Sequence, residues 1–237
     1  HHLFLWASIF AGILASKKSV FTHASGGTIG YSVSLAGDVN GDGYDDVIIG
    51  NYNGKIGSGQ GYVHIYYGNK SISNSSQIDT PKTSTFFGKS VSSAGDVNGD
   101  GYDDVIIGAE AFDNGQLAEG AAFIYYGSSK GIDTTIVYQI EKNQAHSYLG
   151  CSVSSAGDVN GDGYDDVIIG ARYYDKGENN EGIALIYTSF ASSSCTTTYS
   201  TDTITSCGPY TWTDGVIYTS NNNTAKDTFT NAAGCDS

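Results

Sequence analysis

The sequence predicts an all-β fold made of β-propeller blades, and three observations carry that expectation. A 19-residue unit recurs almost unchanged: SVSLAGDVNGDGYDDVIIG at Ser32–Gly50, then SVSSAGDVNGDGYDDVIIG at both Ser90–Gly108 and Ser152–Gly170. Its first loop residues, Asp38, Asp96 and Asp158, stand 58 and 62 residues apart. Composition agrees, because 32 Gly with only 2 Pro and no Met disfavours long helices and suits short strands joined by tight turns.

Each unit of about sixty residues reads as four short strands. Ser-Val-Ser-Ser-Ala alternates before the loop, and Val-Ile-Ile-Gly forms a buried β-branched run after it. A variable polar stretch follows, and then a third strand at Gly61–Gly68, Gly120–Gly127 and Gly182–Thr188. The weaker runs Gln77–Thr80 and Ile136–Ile140 supply a fourth strand, which the third unit lacks. Four antiparallel strands per repeat make a propeller blade, and stacked solenoid units are the runner-up, since solenoid repeats are usually shorter. The expected division is a remnant of a preceding blade at 1–29, blades at 30–87, 88–149 and 150–190 (the last partial), and a Thr-rich β module at 191–237. Three blades do not close a ring, so the expectation is a part of a larger propeller.

The apolar stretch Leu3–Ala15 is too short to span a membrane. It reads as a buried strand of a preceding repeat. A signal-peptide core is the alternative, without an initiator Met or preceding basic residues to support it.

The net charge of -14 is local. Each loop carries four acidic residues, so the three loops hold 12 of the 25, leaving 13 against 11 Lys and Arg elsewhere. No basic stripe exists to neutralise phosphates, which argues against nucleic acid as a partner.

Within Asp38-Val-Asn40-Gly-Asp42-Gly-Tyr44-Asp-Asp46, oxygen side chains fall at positions 1, 3, 5 and 9. A hard cation takes six to eight oxygens, so the chain must curl around it, and Gly41 and Gly43 permit the curl. The expected ligands are Asp38, Asn40, Asp42, the Tyr44 carbonyl and Asp46 in the first loop. They are Asp96, Asn98, Asp100, Tyr102 and Asp104 in the second, and Asp158, Asn160, Asp162, Tyr164 and Asp166 in the third. Calcium is favoured over Mg²⁺, which keeps its waters, and over soft metals, since no Cys or His lies in the loops. An EF-hand is excluded: position 12 is Ile49, Ile107 or Ile169 where that motif needs Glu, and the flanks are strands. A solvated Asp/Asn/Gly turn without metal is the plain alternative. Three copies, each crowding four carboxylates into nine residues, weigh against it.

At these residues the unit resembles the FG-GAP repeat of integrin α-chain propellers and related bacterial surface proteins. Phe87-Gly88 stands as FG, replaced by Ile29-Gly30 and Leu149-Gly150 in the other units. Gly108-Ala109 and Gly170-Ala171 match the start of GAP, Gly50-Asn51 departs from it, and Pro is missing from all three. The resemblance covers about 16–190. It implies about seven blades with calcium between the first and second strands of each, structural and not catalytic. The tail resembles Thr-rich repeats of large secreted bacterial proteins.

Three of the four cysteines lie in the tail. Cys207–Cys235 is the preferred disulfide among three possible pairings, and it would suit an extracellular setting. Cys151 reads as a packing residue. The five histidines share no metal or triad spacing, and HExxH, GxSxG, the P-loop and GxGxxG are all missing. His64 and the pairs Tyr66-Tyr67 and Tyr125-Tyr126 read as strand packing rather than catalysis or sugar stacking.

The expectation is therefore a non-enzymatic, secreted or cell-surface module for adhesion or ligand binding. Its calcium-braced blades present the variable loops Asn51–Gly61, Glu110–Glu119 and Tyr173–Glu181 to a protein or glycan. An accessory propeller of a secreted enzyme and a spacer in a large surface protein are the alternatives.

Overall fold

The structure is a computed structural model that describes residues 27–188, apart from 55–59, 69–73, 81, 83–84 and 136, together with 210–211 and 217–218. It divides into two compact units, His1–Ala191 and Ser192–Ser237.

The first unit consists of successive antiparallel sheets, with no helix among the described residues. Strands β1 (Ser32–Gly37), β2 (Asp46–Asn51), β3 (Tyr62–Tyr66) and β4 (Ser75–Asp79) lie side by side in that order. Strands β5 (Ser90–Gly95), β6 (Asp104–Ala109), β7 (Ala121–Tyr125) and β8 (Val137–Ile140) repeat the arrangement. The third sheet holds β9 (Leu149–Gly157), β10 (Asp166–Ala171) and β11 (Ile183–Tyr187) in the order β11-β10-β9. This is the architecture of consecutive propeller blades. In the second unit β12 (Tyr210–Thr211) pairs with β13 (Ile217–Tyr218). Cys207 and Cys235, and the apolar stretch Leu3–Ala15, lie outside the described residues.

Alternation along the strands sends side chains to both faces of each sheet, and both faces of a blade are apolar where it is sandwiched between two others. Blade 2 shows this best. Val91, Val105, Ile107, Phe123 and Tyr125 pack against Ala36, Val39, Ile48, Val63, Ile65 and Ile78 of blade 1. On its other face Ala94, Val97, Ile106, Ala122, Ile124 and Ile140 pack against Leu149, Val153, Val167 and Ile169 of blade 3. The central strand β6 is accordingly buried along its whole length.

Phe87 anchors this packing. It is fully buried, with ring centroids 5.7 Å from Phe123 and 6.3 Å from Tyr125, both edge-on. Gly88 follows at φ +82, which a side chain would strain. Its carbonyl accepts a hydrogen bond from the Ser32 hydroxyl of blade 1 at 2.7 Å, and Ser90 repeats the bond to Gly150 at 2.8 Å. The first Ser of each of the first two units thus ties its strand to the next blade.

Cys151 is partly buried and donates a weak hydrogen bond to the Gly170 carbonyl at 3.4 Å, a packing position. His64 sits between the Tyr62 and Tyr66 rings. The Tyr67 hydroxyl bonds Ser76 and accepts from the Ile132 amide of blade 2, while Tyr125 is buried in the core.

Candidate metal-loop array

Each Asp-rich loop joins the first strand of a blade to the second. The ladder breaks register just before the loop, between Leu35 and Gly37 and between Ser93 and Gly95. That irregularity turns the chain out of the sheet.

The loop then winds around its own first carboxylate. Asp38 accepts the Asp42 amide at 3.0 Å and the Gly43 amide at 2.8 Å on its two oxygens. The Asn40 side-chain oxygen accepts the Asp42 amide at 2.9 Å, and Asp42 accepts the Tyr44 amide at 3.0 Å. Asp96, Asn98 and Asp100 repeat these bonds at 2.9–3.1 Å. Asp158, Asn160 and Asp162 repeat them at 2.8–3.1 Å. Gly41 and Gly43 sit at φ +70 and +86, where the curl needs them.

The ninth-position carboxylates begin the second strands and are fully buried. Asp46 accepts Val39 N–H at 3.1 Å and Gly68 N–H at 2.6 Å, and Asp104 accepts Val97 N–H at 3.0 Å and Gly127 N–H at 2.9 Å. Asp166 accepts Val159 N–H at 2.8 Å, while its other oxygen is buried without a partner. Burial pushes the Asp46 carboxyl up to about 6, and the neighbouring Asp42 and Asp38 charges add to it against the two N–H bonds. Burial likewise pushes Asp104 up to about 7, with Asp100 and Asp96 adding. A cation held close to such a group would favour its ionised form.

Positions 1, 3 and 5 therefore gather on one turn, whereas position 9 turns inward onto backbone amides. Each of its oxygens keeps a second lone pair. Among the described residues no group of three or more Asp, Glu, His or Cys side chains is arranged to hold a metal. A cation here must therefore also draw on the Asn40, Asn98 or Asn160 amide and on the carbonyl at position 7. The donors are all oxygen and mostly anionic, and one Asp166 oxygen is buried without a partner, so the chemistry fits a hard divalent ion.

Sequence reasoning left the eighth-position Asp without a role. In the structure Asp103 accepts the Asp38 amide of the preceding loop at 2.7 Å, and Asp165 accepts the Asp96 amide at 3.0 Å. No spacing rule within one repeat reveals a bond across 65 residues.

The opposite end of the blades is different in kind. Tyr31, Tyr52 and Phe86 meet edge-on with centroids 4.6 and 5.5 Å apart, and Tyr148 meets Tyr173 at 5.6 Å. Lys89 lies over Phe86 at 5.5 Å, and Arg172 over Tyr148 at 4.8 Å. Both cations pair with the buried Glu110, Arg172 at 3.2 Å. The described non-glycine residues with positive φ (Phe86, Ala118, Asn143, His146, Tyr148 and Asn180) all lie at this end.

Known protein families match this chain within the blades. An FG-GAP-like repeat model matches residues 38–107, and the FG-GAP repeat model matches 152–187. The blades are similar to FG-GAP repeats. Over 155 residues, 60% of this chain, the sequence is 33% identical to integrin alpha-5 of Xenopus laevis, of which it covers 14%. It is 34% identical over 172 residues, 68% of this chain, to integrin alpha-PS5 of Drosophila melanogaster, covering 16% of it. With integrin alpha-V of Gallus gallus the identity is 32% over 167 residues, 67% of this chain and 15% of the relative. The chain thus spans no more than 16% of these relatives' length. Its blades are integrin-like. Among the described residues no helix is long and apolar enough to cross a membrane.

Proposed function

We propose that these blades form an extracellular adhesion or ligand-binding module, in which calcium in the three Asp-rich loops braces one end and the other end meets the ligand. The observation that carries this reading is the contrast between the two ends of one scaffold. One end holds three loops of identical sequence, curled around a carboxylate in the same way. The other holds loops that differ in every blade, exposed rings of Tyr31 and Tyr173, and two bulky residues, Phe86 and Tyr148, at φ 54. Left-handed backbone at such residues is costly and gathers where a surface must present particular side chains. Fixed scaffold beside variable loops is the usual division in binding domains.

In each loop Asp38, Asn40, Asp42 and the Tyr44 carbonyl, or their equivalents, would hold the ion with the ninth-position Asp. The ion supplies positive charge to a buried carboxylate and to its like-charged neighbours. In this proposal the loop carboxylates brace the fold and the module is not an enzyme. Its likeness to integrin alpha chains supports an adhesive role at a cell surface or in secretion, with a protein or a glycan as the ligand.

Screening the chain with calcium present against arrays of extracellular proteins and glycans tests this reading. A specific ligand is expected, lost in a Tyr31→Ala/Tyr173→Ala double variant that still melts like the parent. A ligand whose binding ignores that variant and instead needs the Asp-loop end would overturn the assignment of ends.

A further inference from the structure

The remaining carboxylate of each loop, at position 8, is not among the expected ligands of its own loop. Asp103 reaches back to the preceding blade, where one oxygen accepts the Asp38 amide at 2.7 Å. The backbones join beside it, with the Asp103 amide donating to the Asp38 carbonyl at 3.3 Å and the Ser128 amide to the Val39 carbonyl at 3.0 Å. The fit is close: a Cβ on Gly37 would run into the Asp103 carboxylate, and one on Gly41 would stand 2.7 Å from the Tyr102 ring. The next junction repeats this in detail. Asp165 accepts the Asp96 amide, its own amide donates to the Asp96 carbonyl at 3.1 Å, and Tyr164 covers Gly99.

The third loop makes the same internal bonds but lacks this cover among the described residues. Among the described residues nothing lies within 4 Å of a Cβ built on Gly157 or Gly161, and Val159 is 53% exposed where Val39 and Val97 are 0%. The loop sequence is the same there, and only the surroundings differ. The residue fixed by the joint is the first of each loop, the one whose carboxylate organises the turn.

We infer that Asp103 and Asp165 are positioning residues for the metal loop of the blade before them, so that each blade preorganises its predecessor's site and the sites are coupled along the array. The metal in this statement rests on the function proposed above; the ordering of the loop does not. A bond from a backbone amide to a charged acceptor is among the stronger hydrogen bonds, and it holds the ring at its first ligand. A site ordered beforehand loses less freedom when an ion enters.

The test compares Asp103→Ala, Asp103→Asn and Asp45→Ala in the full chain. Asp45 occupies the same place in the first loop and is exposed, so its removal controls for the lost charge. In chelator, hydrogen exchange at residues 38–43 is read by mass spectrometry. Faster exchange is expected in Asp103→Ala, with parent-like exchange in Asp103→Asn, whose amide oxygen can still accept, and in Asp45→Ala. Titration with calcium alone should then show one site weakened about tenfold in Asp103→Ala only. Equal exchange in all the variants would overturn the joint. Faster exchange with unchanged calcium affinities would overturn the coupling. If the parent takes up no calcium, the proposed function fails and the exchange comparison still decides the joint. Should Asp103→Ala not fold, Asp165→Ala, read at residues 96–101, tests the second joint in the same way.

Discussion

Raising the pH of the calcium-free protein from 5 to 7.5 should destabilise it, opposite to the usual behaviour of a protein leaving acid. The cause is the pair of buried carboxyls at the start of β2 and β6. Asp46 and Asp104 sit at about 6 and about 7 when folded, against a reference of 3.8. Between the reference and the folded value the native chain holds a proton that the unfolded chain has released. Stability therefore falls as pH rises through this window, at about 1.4 kcal/mol per pH unit for each such group. From pH 5 upward Asp46 loses about 1 kcal/mol before the loss levels off above pH 6, where it is mostly ionised, and Asp104 about 3 kcal/mol before it levels off above pH 7. The combined bound is about 4 kcal/mol, and relaxation around the charges brings it nearer to 3. For a unit of this size that is a fall in melting temperature on the order of 10 °C. Calcium should flatten the profile, because an ion in the loop favours the ionised carboxylates. The assay is thermal unfolding by circular dichroism at half-unit pH steps, in chelator and in excess calcium. Asp104→Asn should remove about two thirds of the chelator-dependent slope. A melting temperature in chelator that stays flat or rises from pH 5 to 7.5 would refute the reasoning.

Phe87→Ala should cost about 3–5 kcal/mol in chemical denaturation, because it empties a fully buried site shared by two blades. Gly37→Ala should destabilise more than Gly43→Ala in the same assay. Both sit at positive φ, at about 1 kcal/mol, but only Gly37 also faces the Asp103 carboxylate, whereas Gly43 has open space. Glu110→Ala should cost about 1–3 kcal/mol, since it leaves Lys89 and Arg172 facing each other without the buried carboxylate that both use. High salt should reduce that loss only slightly, because Glu110 is 2% exposed.

The strands were legible because each repeat writes the same short β-branched run, and three copies fix its limits better than one. The expected fourth strands at Gln77–Thr80 and Ile136–Ile140 correspond to β4 and β8, shifted by one or two residues. The length of β9 was not legible. It starts at Leu149, where a bridge to Gly120 of blade 2 holds the chain extended, and a contact with another blade leaves no mark in the local pattern. The same limit hid Glu110, whose partners Lys89 and Arg172 lie 21 and 62 residues away. Within a loop, the places of Asp38, Asn40 and Asp42 on one turn followed from spacing alone, since the turn is local. Asp46 combines a local place with a long-range one, because Gly68 reaches it from the far end of β3.

Calcium stoichiometry tests the central claim most directly. Equilibrium dialysis against labelled calcium, followed by counting of protein-bound ion, should give three ions per chain, one for each loop. Asp42→Ala, Asp100→Ala and Asp162→Ala should each remove one. A chain that binds no calcium, or that keeps the full complement after all three substitutions, would contradict the account.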